Sequence, residues 1–537
     1  MAAALAPFPT VYGANGMVCA VDHLAAGAGV AMLREGGSAV DAAVAASAVL
    51  AVTSQHLCGM GGDLFALLYR GGEVSALNAS GPAGSGADPA RLRSEGRHTM
   101  PARGDVRSVP LPGCVDGWLA LHSRFGRLAL SRVLEPARAY AEHGFPASPT
   151  LAASVPAVAG LPGARDYTAP GAGALRPGQR VRRPGVAGAL ADVVAGGRDA
   201  FYRGEFGRGL LELGAGEYLE QDLSRPLACW VPPISLEAWG HRLWTVPPNS
   251  QGYLTLAGAW MASGLGLPAD PDDPLWAHLL VEAARQAAYD RPLVLHEGAD
   301  GAALIAPERL APRRAAIEAD HASRLGEAYA GGGTIAVVAV DGDRDGVALL
   351  QSNAAGWGAH LAVADVGIFL HNRGVGFSLE PGHPAEYGPG RRPPHTLAPV
   401  LVTRPDGSLH TVAATMGCDS QPQVLLQLLA RTLQVGQAPG PAVAAGRWAL
   451  STRAGTGADE LPAIGFQTWR AGGEVTVRME GHAPGPWAGA LSARGHHVER
   501  TEEFDHGFGH AQLITVAGDH LAGASDPRAR GGAAAAW

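Results

Sequence analysis

The sequence predicts an α+β protein whose core is one sheet packed on another and covered by helices. Helical patterns dominate the first half, strand patterns begin at residue 334, and helices return after residue 420. Elements in that order bury their apolar faces as stacked layers. Composition agrees, since 47% of residues are hydrophobic and only 17% charged, which suits a well-buried chain and excludes a disordered one. At 537 residues the chain exceeds what one simple core usually holds, so two halves or two intertwined layers are expected.

Residues 24–52 read as alanine-rich helix, with Gly36-Gly37 as a break and Ser38 as the N-cap of 39–52. The cluster Gly59-Met60-Gly61-Gly62-Asp63 precedes a strand over 64–69. Residues 150–190 are rich in Pro, Gly and Ala and carry the weakest structural signal. A helix spans 274–291 and ends in Tyr289-Asp290-Arg291, while 300–333 mix charge with glycine and read as an exposed processing loop. Strands follow at 334–340, 346–352, 366–371, 399–403 and 409–415, the last two joined by Arg404-Pro405-Asp406-Gly407. Met416-Gly417-Cys418-Asp419 then leads into a helix over 421–435, and strands 511–516 and 521–524 are joined by Gly518-Asp519.

A net charge of −8 and the lack of any basic run with interleaved aromatics exclude a nucleic-acid partner. The chain contains no lysine, which excludes Schiff-base chemistry and lysine-based phosphate binding. The glycines at 59–62 show neither a GK[ST] element nor GxGxxG spacing, so nucleotide binding ranks last. Cys19, Cys58, Cys114, Cys229 and Cys418 are dispersed, form no CxxC pair and read as reduced structural thiols. Twenty histidines include no HExxH or comparable cluster, so neither a metal nor a cofactor is expected. No export signal and no apolar stretch of membrane-spanning length is found, so a cytoplasmic protein without a membrane partner is expected.

Gly331-Gly332-Gly333-Thr334 runs straight into Ile335-Ala336-Val337-Val338-Ala339-Val340 and the turn Asp341-Gly342-Asp343. A flexible glycine hinge before a threonine that opens a buried strand suits a chain that cuts itself. Cleavage between Gly333 and Thr334 frees an α-amine with a pKa of roughly 7.7–8.0, so one residue carries both a nucleophilic hydroxyl and its base. The same residues also suit an ordinary glycine turn entering a strand, where threonine is favoured.

Further motifs run the length of the chain. They include Gly36-Gly37-Ser38-Ala39-Val40-Asp41, the cluster at 59–63, Val109-Pro110-Leu111-Pro112-Gly113 and Pro247-Pro248-Asn249-Ser250-Gln251-Gly252. After Thr334 come Asn372-Arg373-Gly374, Arg392-Pro393-Pro394-His395-Thr396, Met416-Gly417-Cys418-Asp419 and Gly523-Ala524-Ser525-Asp526-Pro527-Arg528. In their number and order the chain resembles the γ-glutamyltransferase family of N-terminal nucleophile hydrolases, which includes the cephalosporin acylases. The resemblance implies a four-layer αββα sandwich and autoproteolysis at Gly333–Thr334. A large-subunit-like segment, 1–333, and a small-subunit-like segment, 334–537, would stay together as one intertwined unit. Thr334 would attack a substrate carbonyl while its α-amine accepts the proton, and the acyl-enzyme would pass to water or another acceptor. The backbone N–H groups of Gly417 and Cys418 would form the oxyanion hole, where relatives usually carry two glycines. Ser352 falls where the family places a hydroxyl that steadies the threonine amine. Asn372 and Arg373 fall in the substrate region, with Arg373 suited either to a substrate acid or to a structural ion pair. The implied partners are a small-molecule substrate and the two fragments themselves, with a homodimer of the processed unit one option.

The pattern departs from the authentic transferases at the glutamyl clamp. Leu77-Asn78-Ala79-Ser80-Gly81-Pro82 lacks their arginine, Gly374-Val375-Gly376 lacks their acidic residue, and a serine pair becomes His395-Thr396. His395 and Thr396 form either a different polar site or, for His395, a packed structural position. Ala354 and Ala355 leave room beside Trp357, which offers an aromatic wall. Gly333 stands where relatives of this subgroup often carry aspartate, which eases backbone strain but removes a carboxylate. The leading expectation is a self-processing amide hydrolase or acyltransferase with a substrate other than glutathione. The alternatives are a carbon–carbon bond hydrolase, as in actinobacterial alkylproline pathways, and an uncleaved binding scaffold.

Overall fold

The computed structural model describes residues 8–168, 173–325, 335–452 and 475–537. Two seven-stranded sheets carry the fold. Their strands in chain order are β1 (Val11–Gly13), β2 (Met17–Ala20), β3 (Asp63–Arg70), β4 (Glu73–Ala79), β5 (Cys229–Val231), β6 (Ile234–Ala238) and β7 (His241–Thr245). Then follow β8 (Ile335–Val340), β9 (Gly346–Ser352), β10 (Val400–Thr403), β11 (Leu409–Thr415), β12 (Ala511–Val516), β13 (Leu521–Ser525) and β14 (Ala533–Ala536). One sheet has the order β1-β13-β12-β11-β10-β7-β6 and the other β14-β2-β8-β9-β3-β4-β5. Every pairing within them is antiparallel.

The alternation along β8 shows how the layers stack. All six of its residues are buried, a continuous apolar run that reports cover on both faces. Ala336, Val338 and Val340 enter the layer between the sheets, with Phe65, Leu67 and Leu350 on one side and Leu401, Val412 and Ile514 on the other. Ile335, Val337 and Ala339 point the opposite way, into the core beneath α1 (His23–Arg34), α2 (Ala39–Thr53), α3 (Cys114–Phe125) and α4 (Leu130–His143). The far face of the first sheet, with Leu243, Val400, Val402, Ala413 and Leu513, packs on α5 (Tyr253–Ser263), α6 (Pro274–Ala288) and α7 (Gln421–Leu429). Helix, sheet, sheet, helix is the αββα order.

The helix predicted over 24–52 divides at the glycine pair as expected. Ser38 caps α2 by accepting from the Asp41 N–H, while the Asp41 carboxylate accepts from the Ser38 N–H at 2.8 Å. All fifteen residues of α2 are buried, and their alanines keep the cost of that burial in side-chain entropy low.

Several expectations are corrected. Each side of the 333/334 junction supplies seven of the fourteen strands, so the first half is far richer in strand than its patterning suggests. Within the expected strand 366–371, Ile368–Phe369 pairs with Ala362–Val363 and Leu370 makes only an isolated bridge to Gly61, because the chain then turns His371 and Arg373 toward Asp63. A helix, Pro184–Tyr202, rises inside and beyond the weakly patterned segment, with non-helical backbone at Gly197. The helix from residue 421 ends at Leu429 and continues as a π turn to Gln434.

Candidate active site

Gly333 and Thr334 lie outside the described residues, so the site is built from the groups around the start of β8. Ile335 pairs with Gln351, and the next residue of β9, Ser352, pairs with Asp63 on β3. Ser352 and Asp63 therefore stand at the sheet end where the junction enters. The Ser352 Oγ accepts from the Ala354 N–H at 2.8 Å. A Cβ on Gly62 would come within 2.2 Å of the Ser352 carbonyl oxygen, so only glycine lets β3 begin this close to β9.

Asp63 is the hub of a fully buried polar network. Its Oδ2 accepts from Arg373 Nε at 2.7 Å and lies 3.0 Å from both His371 Nδ1 and His395 Nε2. Arg373 also donates to Thr396 Oγ1 at 2.9 Å, and His371 Nε2 lies 2.8 Å from the Pro110 carbonyl. Burial alone would raise the Asp63 carboxyl, but Arg373, then His395 and His371, outweigh it and hold it well below the usual carboxylate range. The Leu397 N–H donates to His395 Nδ1 at 3.2 Å, which leaves the His395 proton on Nε2, facing Asp63. That approach is poorly angled, so the contact is electrostatic rather than a well-formed hydrogen bond. Burial, then Arg373, push His395 down to about 4, so its ring is neutral near pH 7. Phe65 meets the ring edge-on at 4.6 Å.

The network continues into the turn expected to hold the oxyanion. Gln251 Nε2 donates at 2.8 Å to the carbonyls of both Thr396 and Cys418. Gly417 has φ 138°, where an added Cβ would meet Ser420 Oγ at 2.6 Å, and Cys418 follows with φ 44°. A cysteine in the left-handed region costs about 1–3 kcal/mol, which the packed surroundings of the turn must hold. The turn opens α7, whose N-terminal dipole favours developing negative charge. The Cys418 Sγ is buried 3.9 Å from the Ala354 carbonyl, and Asp419 pairs with Arg291 at 3.2 Å.

The remaining expected residues divide. Asn372 accepts from the Ala355 N–H at 3.0 Å and donates to the Ala102 carbonyl at 2.9 Å, so it stitches two loops at the site's edge. Trp357 is not a pocket wall: it is 2% exposed, packs on Tyr167 and Phe369, and donates to the Ser154 carbonyl at 3.1 Å. Its φ of 58° turns the indole inward to the helix-side core. Arg373 takes the ion-pair alternative, with Asp63. The arginine missing from 77–82 has a neighbour in space, since Arg392 donates to Ser80 Oγ at 3.2 Å and to the Leu227 carbonyl at 2.9 Å. Asp63 and Gln251 were not singled out from sequence, although both lie in motifs that were. An acid that ends a glycine cluster and begins an apolar strand was the available signal. Among the described residues, the one group of three metal-ligating side chains is the exposed trio Glu318, Asp320 and His321, outside this network.

The family model described as Gamma-glutamyltranspeptidase matches residues 25–536. The chain is 33% identical over 539 residues to the oxamate amidohydrolase proenzyme of Klebsiella pneumoniae, covering 97% of this chain and 98% of that one. It is 32% identical to the glutathione hydrolase-like YwrD proenzyme of Bacillus subtilis, covering 98% and 99%. Among solved structures, a cephalosporin acylase from Bacillus halodurans superposes with a TM-score of 0.87 at 30% identity, covering 100% of this chain and 99% of that one.

Proposed function

We propose, given that this chain belongs to the gamma-glutamyltranspeptidase family of N-terminal nucleophile hydrolases, that it is a self-processing amidohydrolase for a small amide other than glutathione. The family match and the relatives make it an enzyme of the acylase and amidohydrolase type. The finer reading begins with cleavage of Gly333–Thr334. The Thr334 Oγ then attacks the amide carbon while its own α-amine takes the hydroxyl proton. The oxyanion forms against the N–H groups of Gly417 and Cys418, and its collapse expels the amine with that proton. Water attacks the resulting ester, releases the acid and restores Thr334.

The observation that carries this reading is the Gly417–Cys418 turn. Two consecutive residues at positive φ, at the N-terminus of α7 and tied through Gln251 to Thr396, make a preorganised anion cradle beside the sheet end of Ser352. Each such donor is worth ~2.7–4 kcal/mol in the transition state. Two similar proteins are named proenzymes, which supports self-processing, and the name oxamate amidohydrolase supports a small amide. The network of Asp63, Arg373, His395 and Thr396, where the transferases place part of their glutamyl clamp, supports a substrate other than glutathione.

The test is product analysis with oxamate, a γ-glutamyl anilide and a panel of short acyl amides. Released ammonia or amine, absent with Thr334→Ala, is the expected result. A short acid with no amine, from a keto substrate, would replace amide cleavage by carbon–carbon hydrolysis. Ligand binding without any turnover would favour the scaffold.

A further inference from the structure

Three described arginines bury an Nε that makes no hydrogen bond: Arg103, Arg183 and Arg447. The last two hydrogen bond through their other nitrogens. Arg103 forms no hydrogen bond and no ion pair at all among the described residues. Its nearest acid in sequence, Asp105, is engaged by Arg107 at 2.6 Å. The Arg103 Nε is buried without an acceptor, and an orphaned buried donor costs free energy that a ligand oxygen would recover.

The position of Arg103 suggests what that is. The preceding carbonyl, of Ala102, accepts from the Asn372 amide at 2.9 Å, and the following N–H, of Gly104, donates to the Ala359 carbonyl at 2.7 Å. Asn372 in turn accepts from Ala355, three residues beyond Ser352. Arg103 therefore rides on a loop fastened at two points to the loop that borders the candidate site. His360, next to Ala359, has a buried Nε2 that also lacks a partner. Burial, then Arg103, push His360 down to about 4, so near pH 7 the ring adds no second charge.

The geometry points to Arg103 as the receiver of a carboxylate on the substrate. Guanidinium and carboxylate match in a two-point fork, so the substrate class becomes amides that carry an acid close to the scissile bond. As an anion site the assignment stands alone; as a substrate site it rests on the amidohydrolase reading.

The test uses the full chain and oxalate, a small carboxylate with no amide to cleave, in calorimetric titrations at fixed ionic strength. Arg103→Gln is expected to weaken oxalate binding at least tenfold, and Arg103→Lys to retain part of the affinity. Arg34→Gln, which alters an exposed arginine on α1, is expected to change nothing. Failure of oxalate to bind the wild-type chain, or equal binding by Arg103→Gln, overturns the site. The same samples are read for self-cleavage by mass. An uncleaved chain that still loses oxalate with Arg103→Gln keeps the anion site and removes the amidohydrolase reading.

Discussion

Asp63 sets one negative charge against Arg373 and two imidazoles where none of these side chains has any exposed surface. Removing that charge takes the buried carboxylate from Arg373, and breaking a buried pair typically costs about 3–5 kcal/mol. Asp63→Asn is therefore expected to lower the unfolding free energy by about that much in urea titrations, seen as a lower midpoint, with loss of activity. An unchanged midpoint would show that Arg373 has other compensation. At this scale legibility was uneven. Gly333 and Thr334 lie outside the described residues, whereas the Gly417–Cys418 turn was legible because its motif stands between an apolar strand and a helix. Asp63 was not, since a lone acid after glycines reads equally well as a turn residue. Trp357 misled because an aromatic beside alanines suits a pocket and a core alike, and only its backbone angle decides.

In the proposed mechanism the Gly417–Cys418 turn is the element that holds the oxyanion. Gly417→Ala adds a Cβ 2.6 Å from Ser420 Oγ in a backbone region that alanine avoids. Displacing one oxyanion donor is expected to cut kcat about 10²–10³-fold. A wild-type kcat in this variant would remove the turn from the mechanism. At the other end of the molecule, Ser38→Ala deletes the reciprocal cap of α2 and is expected to cost about 1 kcal/mol in thermal or urea unfolding, with catalysis intact. Strands such as β8 and β9 were legible because both-face burial writes a continuous apolar run. Short strands such as β2, β5 and β14 were not, since three or four residues carry too little pattern. The helix Pro184–Tyr202 hides in glycine and alanine, whose composition signals loop while its tertiary packing fixes helix.

The two sides of the junction are interleaved, with β8 lying between β2 on one flank and β9 on the other and seven strands coming from each side. Processed fragments are therefore expected to co-elute in gel filtration and to part only in denaturant; separation in native buffer would contradict the shared sheets. The molecule also buries neutral histidines. Burial pushes His56 down to about 3 and His395, His410 and His496 to about 4. The unfolded chain, with histidines near ~6.5, then binds more protons than the native one below that pH. Stability from this source is present above pH ~6.5 and falls as pH drops toward 4. Urea midpoints at pH 7, 5.5 and 4.5 should decline in that order, and a flat series would contradict the assignment. The central claim concerns a single peptide bond, and intact mass with N-terminal sequencing of the wild type beside Thr334→Ala tests it most directly. Two fragments with a new N-terminus at Thr334, and one uncut chain in the variant, are the predicted result. A full-length chain in both, or a cut elsewhere, would contradict it.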